Sequence, residues 1–381
     1  MPAPKPAPDG PAVQTVPFVD LTAQHEPIRG EIDAAVAAVL DSGRFILGEA
    51  VERFEAAFAA YLGVDHAIGV GNGLDALQLT LRGLGIGAGD EVIVPANTFI
   101  ATALAVSATG ARPVFVDCDE SSAGLTAAGV TQAISSHTRA IIPVHLYGQA
   151  PAELLQVLDV AKQRDIPVIE DAAQAHGARV GEQQCGTFGR AACFSFYPTK
   201  NLGACGDAGM IVTNDADLIR RIRVIRDYGQ ASRGHHVVQG GNSRLDALQA
   251  AILEVKLRHL ERWNQERRQH AAAYSAALAM DGMAVPSSAP SNLHVFHLYV
   301  VRCAQRDALQ AHLLACGVET AIHYPVPIPL QPAYANDSRP DHFPVAQQLS
   351  REILSLPLFP GLRPEQRARV IAAVLEFGVH D

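Results

Sequence analysis

Apolar positions first recur at helical spacing, over residues 31–40 and again over 50–61, where Val51, Phe54, Phe58 and Leu62 share a face between Gly48 and Gly63. After them, short β-rich runs alternate with helical stretches. Residues 67–70, 91–94, 114–116, 140–144, 167–170, 192–196 and 209–212 predict strands. Residues 74–84, 99–109, 152–164 and 216–227 predict helices between them. Such alternation implies an α/β fold, with a mostly parallel central sheet covered on both faces.

The alternation lapses near Gly240 and Gly241, where a long helix-like stretch over 245–278 begins, ended by Pro286 and Pro290. A strand over 295–301, a helix over 306–316, a proline-rich loop over 325–332 and helices over 345–354 and 364–377 follow. The expected organisation is therefore a Pro/Ala-rich tail over 1–16, a large domain over 17–243, and a connecting helix with a small α/β domain over 244–381.

A net charge of -9 with no Lys/Arg block argues against nucleic acid or an anionic membrane as the main partner. No apolar run reaches the roughly 20 residues that span a bilayer. Six scattered cysteines without a Cys-x-x-Cys pair argue against structural zinc and fit reduced thiols in the cytoplasm, with no metal in the site. Only four of the 30 basic residues are lysines, at positions 5, 162, 200 and 256, so each is worth inspecting.

In an open α/β sheet, ligands sit beyond the carboxyl ends of the strands. Three polar turns fall there. Gly71-Asn72-Gly73-Leu74 runs from a strand into a helix and offers free N–H groups to a phosphate, or is simply a tight turn. Glu170-Asp171 ends an apolar strand in carboxylates, with Gln174 and His176 just after; alone, Asp171 also reads as a cap or an ion pair. Ser195 to Lys200 follows a buried strand, and a lysine with a lowered pKa can form a Schiff base, although a solvated loop lysine is the ordinary alternative. Together the turns supply what pyridoxal phosphate requires: an amine, an acid facing the pyridine nitrogen and a phosphate cradle.

These residues also resemble a known family, the DegT/DnrJ group of sugar-nucleotide aminotransferases with the type I, aspartate-aminotransferase-like fold. The likeness includes Phe45-Ile46-Leu47-Gly48, the Gly71 turn, Asn97-Thr98-Phe99-Ile100-Ala101-Thr102, Glu170 to Gly177, Phe194-Ser195-Phe196 with Lys200, Gly241-Asn242-Ser243-Arg244-Leu245 and His323-Tyr324-Pro325. The resemblance implies that Lys200 holds the cofactor and shuttles a proton, Asp171 faces the ring nitrogen and Gln174 lies near the ring hydroxyl. It implies that Ser195, Gly73 and Leu74 hold the phosphate and that Phe99 stacks on the ring. Asn242 would serve the neighbouring subunit's phosphate, making the protein a homodimer, and His323 and Tyr324 would meet the substrate.

The family also implies an amino donor, glutamate, and a keto sugar nucleotide as acceptor. Lys200 points away from the branch that carries histidine there and removes a hydroxyl. The phosphate turn and the Gly240 to Asp246 segment look most like members acting on dTDP-3-keto-6-deoxyhexoses, with 4-keto sugar nucleotides as the alternative. In the loop after His323-Tyr324-Pro325, near where this chain has Pro329, many relatives carry histidine. Two other readings compete: a nicotinamide oxidoreductase, which would need a Gly-x-Gly-x-x-Gly turn after the first strand, and a non-catalytic cofactor-binding regulator.

Overall fold

The computed structural model describes residues 15–279, 282–289, 291–335 and 340–378. After a short helical turn over Leu21–His25 come two glycine-ended helices, α1 (Arg29–Ser42) and α2 (Glu49–Leu62), stopped by Gly43 and Gly63 in the left-handed region at φ 63° and 72°. The chain then enters the large sheet through β1 (His66–Val70), α3 (Gly73–Gly83), β2 (Glu91–Pro95), α4 (Ala101–Ser107), β3 (Arg112–Val116) and β4 (Thr138–Ile141). It continues through α5 (Leu154–Gln163), β5 (Ile169–Asp171), β6 (Ala191–Ser195), β7 (Gly209–Thr213) and α6 (Ala216–Arg226).

Strands run β1-β7-β6-β5 on one side and β4-β2-β3 on the other, and parallel bridges from Ile141 to Val168 and from Val144 to Asp171 join the two sets. Only β7 runs against its neighbours; the other pairings among β2 to β6 are parallel. Side chains alternate across the sheet as the strand period requires. Ala192, Phe194, Met210 and Val212 join Phe54 and Phe58 on one face, whereas Ala191, Cys193 and Ile211 join Leu77, Leu81 and Ile222 on the other. Both faces are buried, which is why these strands read as continuous apolar runs.

A buried ion pair locks one edge. Arg226 Nη1 lies 2.9 Å from Glu55 Oε1 and 2.6 Å from the Gly69 carbonyl, and the same Glu55 oxygen accepts the Gly69 N–H at 2.8 Å. The group ties α2, β1 and α6 together.

The stretch expected as one long helix is two, α7 (Ala247–Leu257) and α8 (Leu260–Leu278), with the break at Arg258 and His259. No glycine or proline marks that break in the sequence. In α7, Lys256 is fully buried: Nζ donates to the Gly203 carbonyl, lies 2.9 Å from His25 Nε2 and sits 5.9 Å from the Trp263 ring centre.

A second, three-stranded antiparallel sheet holds β8 (Met283–Ala284), β9 (Tyr299–Cys303) and, after α9 (Arg306–Ala315) and α10 (Pro344–Glu352), β10 (Ile353–Leu356). It corrects two expectations. The strand expected over 295–301 begins only at Tyr299, because residues 295–298 are folded against the Tyr147–Gly148 turn, with the Val295 N–H on the Gly148 carbonyl. The helix expected over 345–354 ends at Glu352, and its last apolar residues open the missed strand β10. With α11 (Pro364–Phe377) the sheet buries Tyr299, Val301, Leu309, Leu354, Leu356 and Val370. Val16, 1% exposed, bridges to Val318 in the same core. Residues 1–14 of the expected tail lie outside the described residues. Among the described residues, no helix is long and apolar enough to cross a membrane.

Candidate active site

The carboxyl ends of β1, β2, β4, β5 and β6 converge on one rim of the large sheet, where a doubly covered α/β sheet leaves its crevice. At β1, Asn72 caps α3 by accepting the Asp75 N–H at 2.9 Å, and its carbonyl takes the Ala76 N–H. The Gly73 and Leu74 N–H groups stay at the open end of the helix dipole, a place that suits an anion. Gly73 is packed so closely on Ser195 that an added Cβ would come within 2.7 Å of the Ser195 Cβ. Only glycine lets the two turns meet there.

Asp171 closes β5 and is 6% exposed. Burial pushes its carboxyl above the usual range, while the Thr102 hydroxyl, donating to Oδ2 at 2.8 Å, the Ala173 N–H, donating to Oδ1 at 3.2 Å, and the charge of Lys200 pull it back. Lys200, in the loop after β6, has its ammonium lowered by burial to about 8, with Asp171 opposing the shift. Each charge acts on the other, and an ammonium eased toward losing its proton shares the rim with a buried carboxylate.

Gln174 bridges two tyrosines: its Oε1 accepts the Tyr147 N–H at 2.6 Å and its Nε2 donates to the Tyr324 hydroxyl at 3.2 Å. Phe99, 53% exposed, lies 5.5 Å from the Tyr324 ring, so its free face borders the site. His323 stacks on Phe18 at 5.7 Å and bonds Ser355 Oγ through Nδ1 at 2.8 Å; its backbone carbonyl accepts from Tyr147. Asn242 stands apart from this group. It is exposed, while its neighbour Ser243 bonds Asp75 Oδ2 at 2.6 Å and so holds the segment against the phosphate-type turn. Pro329, near where many relatives carry a histidine, is buried in a short turn whose Ile328 N–H bonds the Ala96 carbonyl.

Several residues at the rim escaped the sequence reading. Thr102 sits within a quoted motif, but only the fold shows its hydroxyl on Asp171. His145 follows β4, a position whose polar character was the available signal. Its Nε2 lies 2.7 Å from Glu170 Oε2, and Glu170 further accepts the N–H groups of Gly186, Phe188 and Gly189. Burial disfavours the charged imidazole, but Cys185 and Glu170 outweigh it and the His145 pKa lies above its ordinary value. His297, 3.5 Å from Lys200 Nζ, is held neutral by burial and by the lysine's charge. His176, already noted in the sequence after Asp171, packs against Phe194 and Phe196, with burial taking its pKa down to about 3. Away from the rim, His312, Cys316 and Glu376 have ligand-type atoms within 4.8 Å of one another, although His312 Nε2 is already on the Ala373 carbonyl.

The rim fits a phosphate-bearing pyridine aldehyde. It offers an amine of lowered pKa, a buried carboxylate that a cation would stabilise, an open helix N-terminus and an exposed aromatic face.

Residues 26–375 match the DegT/DnrJ/EryC1/StrS aminotransferase family. The chain is 50% identical over 364 residues to a dTDP-3-amino-3,4,6-trideoxy-alpha-D-glucose transaminase of Streptomyces venezuelae, covering 95% of this chain and 96% of that one. It is 46% identical to a UDP-N-acetyl-3-dehydro-alpha-D-glucosamine 3-aminotransferase of Acidithiobacillus ferrooxidans, covering 96% and 98%. Its fold superimposes on the crystal structure of S. venezuelae DesV with a TM-score of 0.93 at 50% identity, over 95% of this chain and 98% of that one. The chain belongs to the DegT/DnrJ/EryC1/StrS aminotransferase family and is a pyridoxal-phosphate-dependent aminotransferase.

Proposed function

We propose that the protein moves an amino group from glutamate to the keto carbon of a sugar nucleotide, with a dTDP-3-keto-6-deoxyhexose as the acceptor. The observation that carries this reading is that Lys200, in the loop after β6, and Asp171, closing the adjacent strand β5, come to the same rim, where each charge acts on the other. Pyridoxal phosphate supplies an aldehyde that accepts amines and a ring that withdraws electrons. Lys200 would hold the aldehyde and, once released from it, would take and return the proton at the donor's Cα, a task that a lowered pKa suits. Asp171 would meet the ring nitrogen, Gln174 the ring hydroxyl, and Phe99 would offer its free face to the ring. Ser195 with the Gly73 and Leu74 N–H groups would hold the phosphate. His323 and Tyr324 border the space for substrate.

The working unit is a homodimer in which Asn242 of the partner subunit completes the phosphate site. Supporting this, the single chain exposes Phe45, Ile46, Tyr197, Tyr228, Val237 and Val238, each between 45% and 54% exposed. Ile46 bridges to Asp246 and Asp227 to Asn242, so much of this apolar surface belongs to the segment that carries Asn242. We keep the domain boundary at Ser243, between α6 and α7.

The 3-keto dTDP preference rests on the similarity to the S. venezuelae transaminase; the A. ferrooxidans relative, named for a UDP sugar, keeps the nucleotide open to test. Holoenzyme should be given glutamate with dTDP- and UDP-linked 3-keto and 4-keto hexoses, and the product's amino position read by NMR. A 3-amino dTDP sugar formed fastest is expected; preference for a UDP or 4-keto acceptor overturns the choice of substrate. Lys200→Ala should abolish amination while circular dichroism stays unchanged, and residual amination would remove the lysine from the reaction.

A further inference from the structure

Behind Lys200 lies a cavity of about 160 Å³, lined by Phe18, Thr199, Arg267, His297, His323 and Leu358 among others. None of its lining residues is acidic, yet it contains a cation. Arg267, 2% exposed on α8, donates through Nη1 to the carbonyls of Phe296 (3.2 Å), His297 (3.3 Å) and Leu358 (2.9 Å), and its Nε is buried without a partner. Glu266, which acts on it electrostatically, instead faces the Gly361 N–H and Arg262. Burial lowers the guanidinium to about 10, so it remains charged at neutral pH. A buried charge without a counter-charge is costly, and a fold that keeps one beside its reactive amine has an anion to receive.

Geometry limits which anion. Thr199 and His297 are shared between the cavity and the Lys200 loop, and His297 Nε2 is 3.5 Å from Lys200 Nζ. An anion seated on Arg267 therefore holds whatever is attached to it at the lysine. His297 and His323, both lowered by burial, remain neutral there and add no charge; His297 spends its one N–H on Asn201 Oδ1, 3.3 Å away, which leaves Arg267 as the cavity's cation. The volume is too small for a sugar nucleotide and suits the end of an amino acid.

We propose that this cavity is the carboxylate pocket of the amino donor, with Arg267 as the group that holds the carboxylate and the neutral His297 and His323 as its walls. The inference rests on the aminotransferase reading above and adds the place where glutamate is recognised. The same arginine also ties α8 to the 296–297 turn and to Leu358, so the test must separate anion binding from that tie.

Two variants do so. Arg267→Met removes the cation; Val19→Phe, at a half-buried position lining the same cavity, fills it while leaving Arg267 in place. The holoenzyme is titrated with glutarate, a dicarboxylate with no amine, by calorimetry. Each half-reaction is then followed separately by cofactor absorbance, glutamate on one form and keto sugar nucleotide on the other. Both variants should weaken glutarate and raise half-saturating glutamate by about 30-fold or more, as expected for losing a desolvated charge partner. The sugar-nucleotide half-reaction should stay within roughly threefold.

An equal loss in both halves, or unchanged glutarate binding, overturns the proposal. If Arg267→Met does not fold, the Val19→Phe result decides alone. An inert wild type would instead refute the aminotransferase reading, whereas an active wild type whose variants keep their glutamate dependence refutes only the carboxylate pocket.

Discussion

Arg226 and Arg267 are both withdrawn from water, at 6% and 2% exposure, and both leave Nε without a partner. Counting hydrogen bonds does not separate them. Counter-charge does: Arg226 has Glu55 at 2.9 Å in a closed set with Gly69, whereas Arg267 has three carbonyls and open volume beside it. One guanidinium completes a structural joint, and the other keeps unspent attraction next to the chemistry. The difference shows how a buried charge can be sorted into architecture or recognition by asking what neutralises it.

The largest effect should come from unpairing the structural joint. Glu55→Ala leaves Arg226 buried and uncompensated and should cost about 3–5 kcal/mol, read as a fall in the urea midpoint at unchanged slope. Acidification probes the other region. His176 has its pKa lowered to about 3 by burial and by Lys200, while the unfolded chain takes up that proton near 6.5. Stability is therefore intact above 6.5 and falls as the pH drops below it; His176→Gln should remove about 2 kcal/mol of the loss between pH 6.5 and 5.

Arg267→Met should cost only about 1–2 kcal/mol, because three hydrogen bonds are lost together with an uncompensated charge. A loss as large as that of Glu55→Ala would make the two arginines alike and erase the contrast. The smallest effect belongs to the double replacement Glu55→Leu with Arg226→Met, expected within about 1 kcal/mol of wild type, since a buried ion pair contributes little over packed apolar side chains.

The large sheet was legible because its strands are buried on both faces and read as unbroken apolar runs bounded by polar turns. Lys200 was visible through scarcity and Asp171 through its place at a strand end. What stayed hidden depends on contacts far apart in sequence. Nothing local tells that Arg267 meets Phe296 and Leu358, or that His145 meets Glu170. The break between α7 and α8 escaped because Arg258 and His259 are ordinary helix residues. Strand β10 escaped because Ile353 and Leu354 continue the apolar spacing of α10, and only pairing with β9 draws them into a sheet.

Lys256 has a practical consequence. With its ammonium enclosed against Trp263 and the Gly203 carbonyl, and Lys162 exposed near the end of α5, the chain presents very few amines to a reagent. Borohydride trapping of the holoprotein followed by peptide mass mapping should thus give one modified peptide, the one spanning position 200. Amine coupling of the holoprotein therefore has few sites to choose from, Lys162 among them.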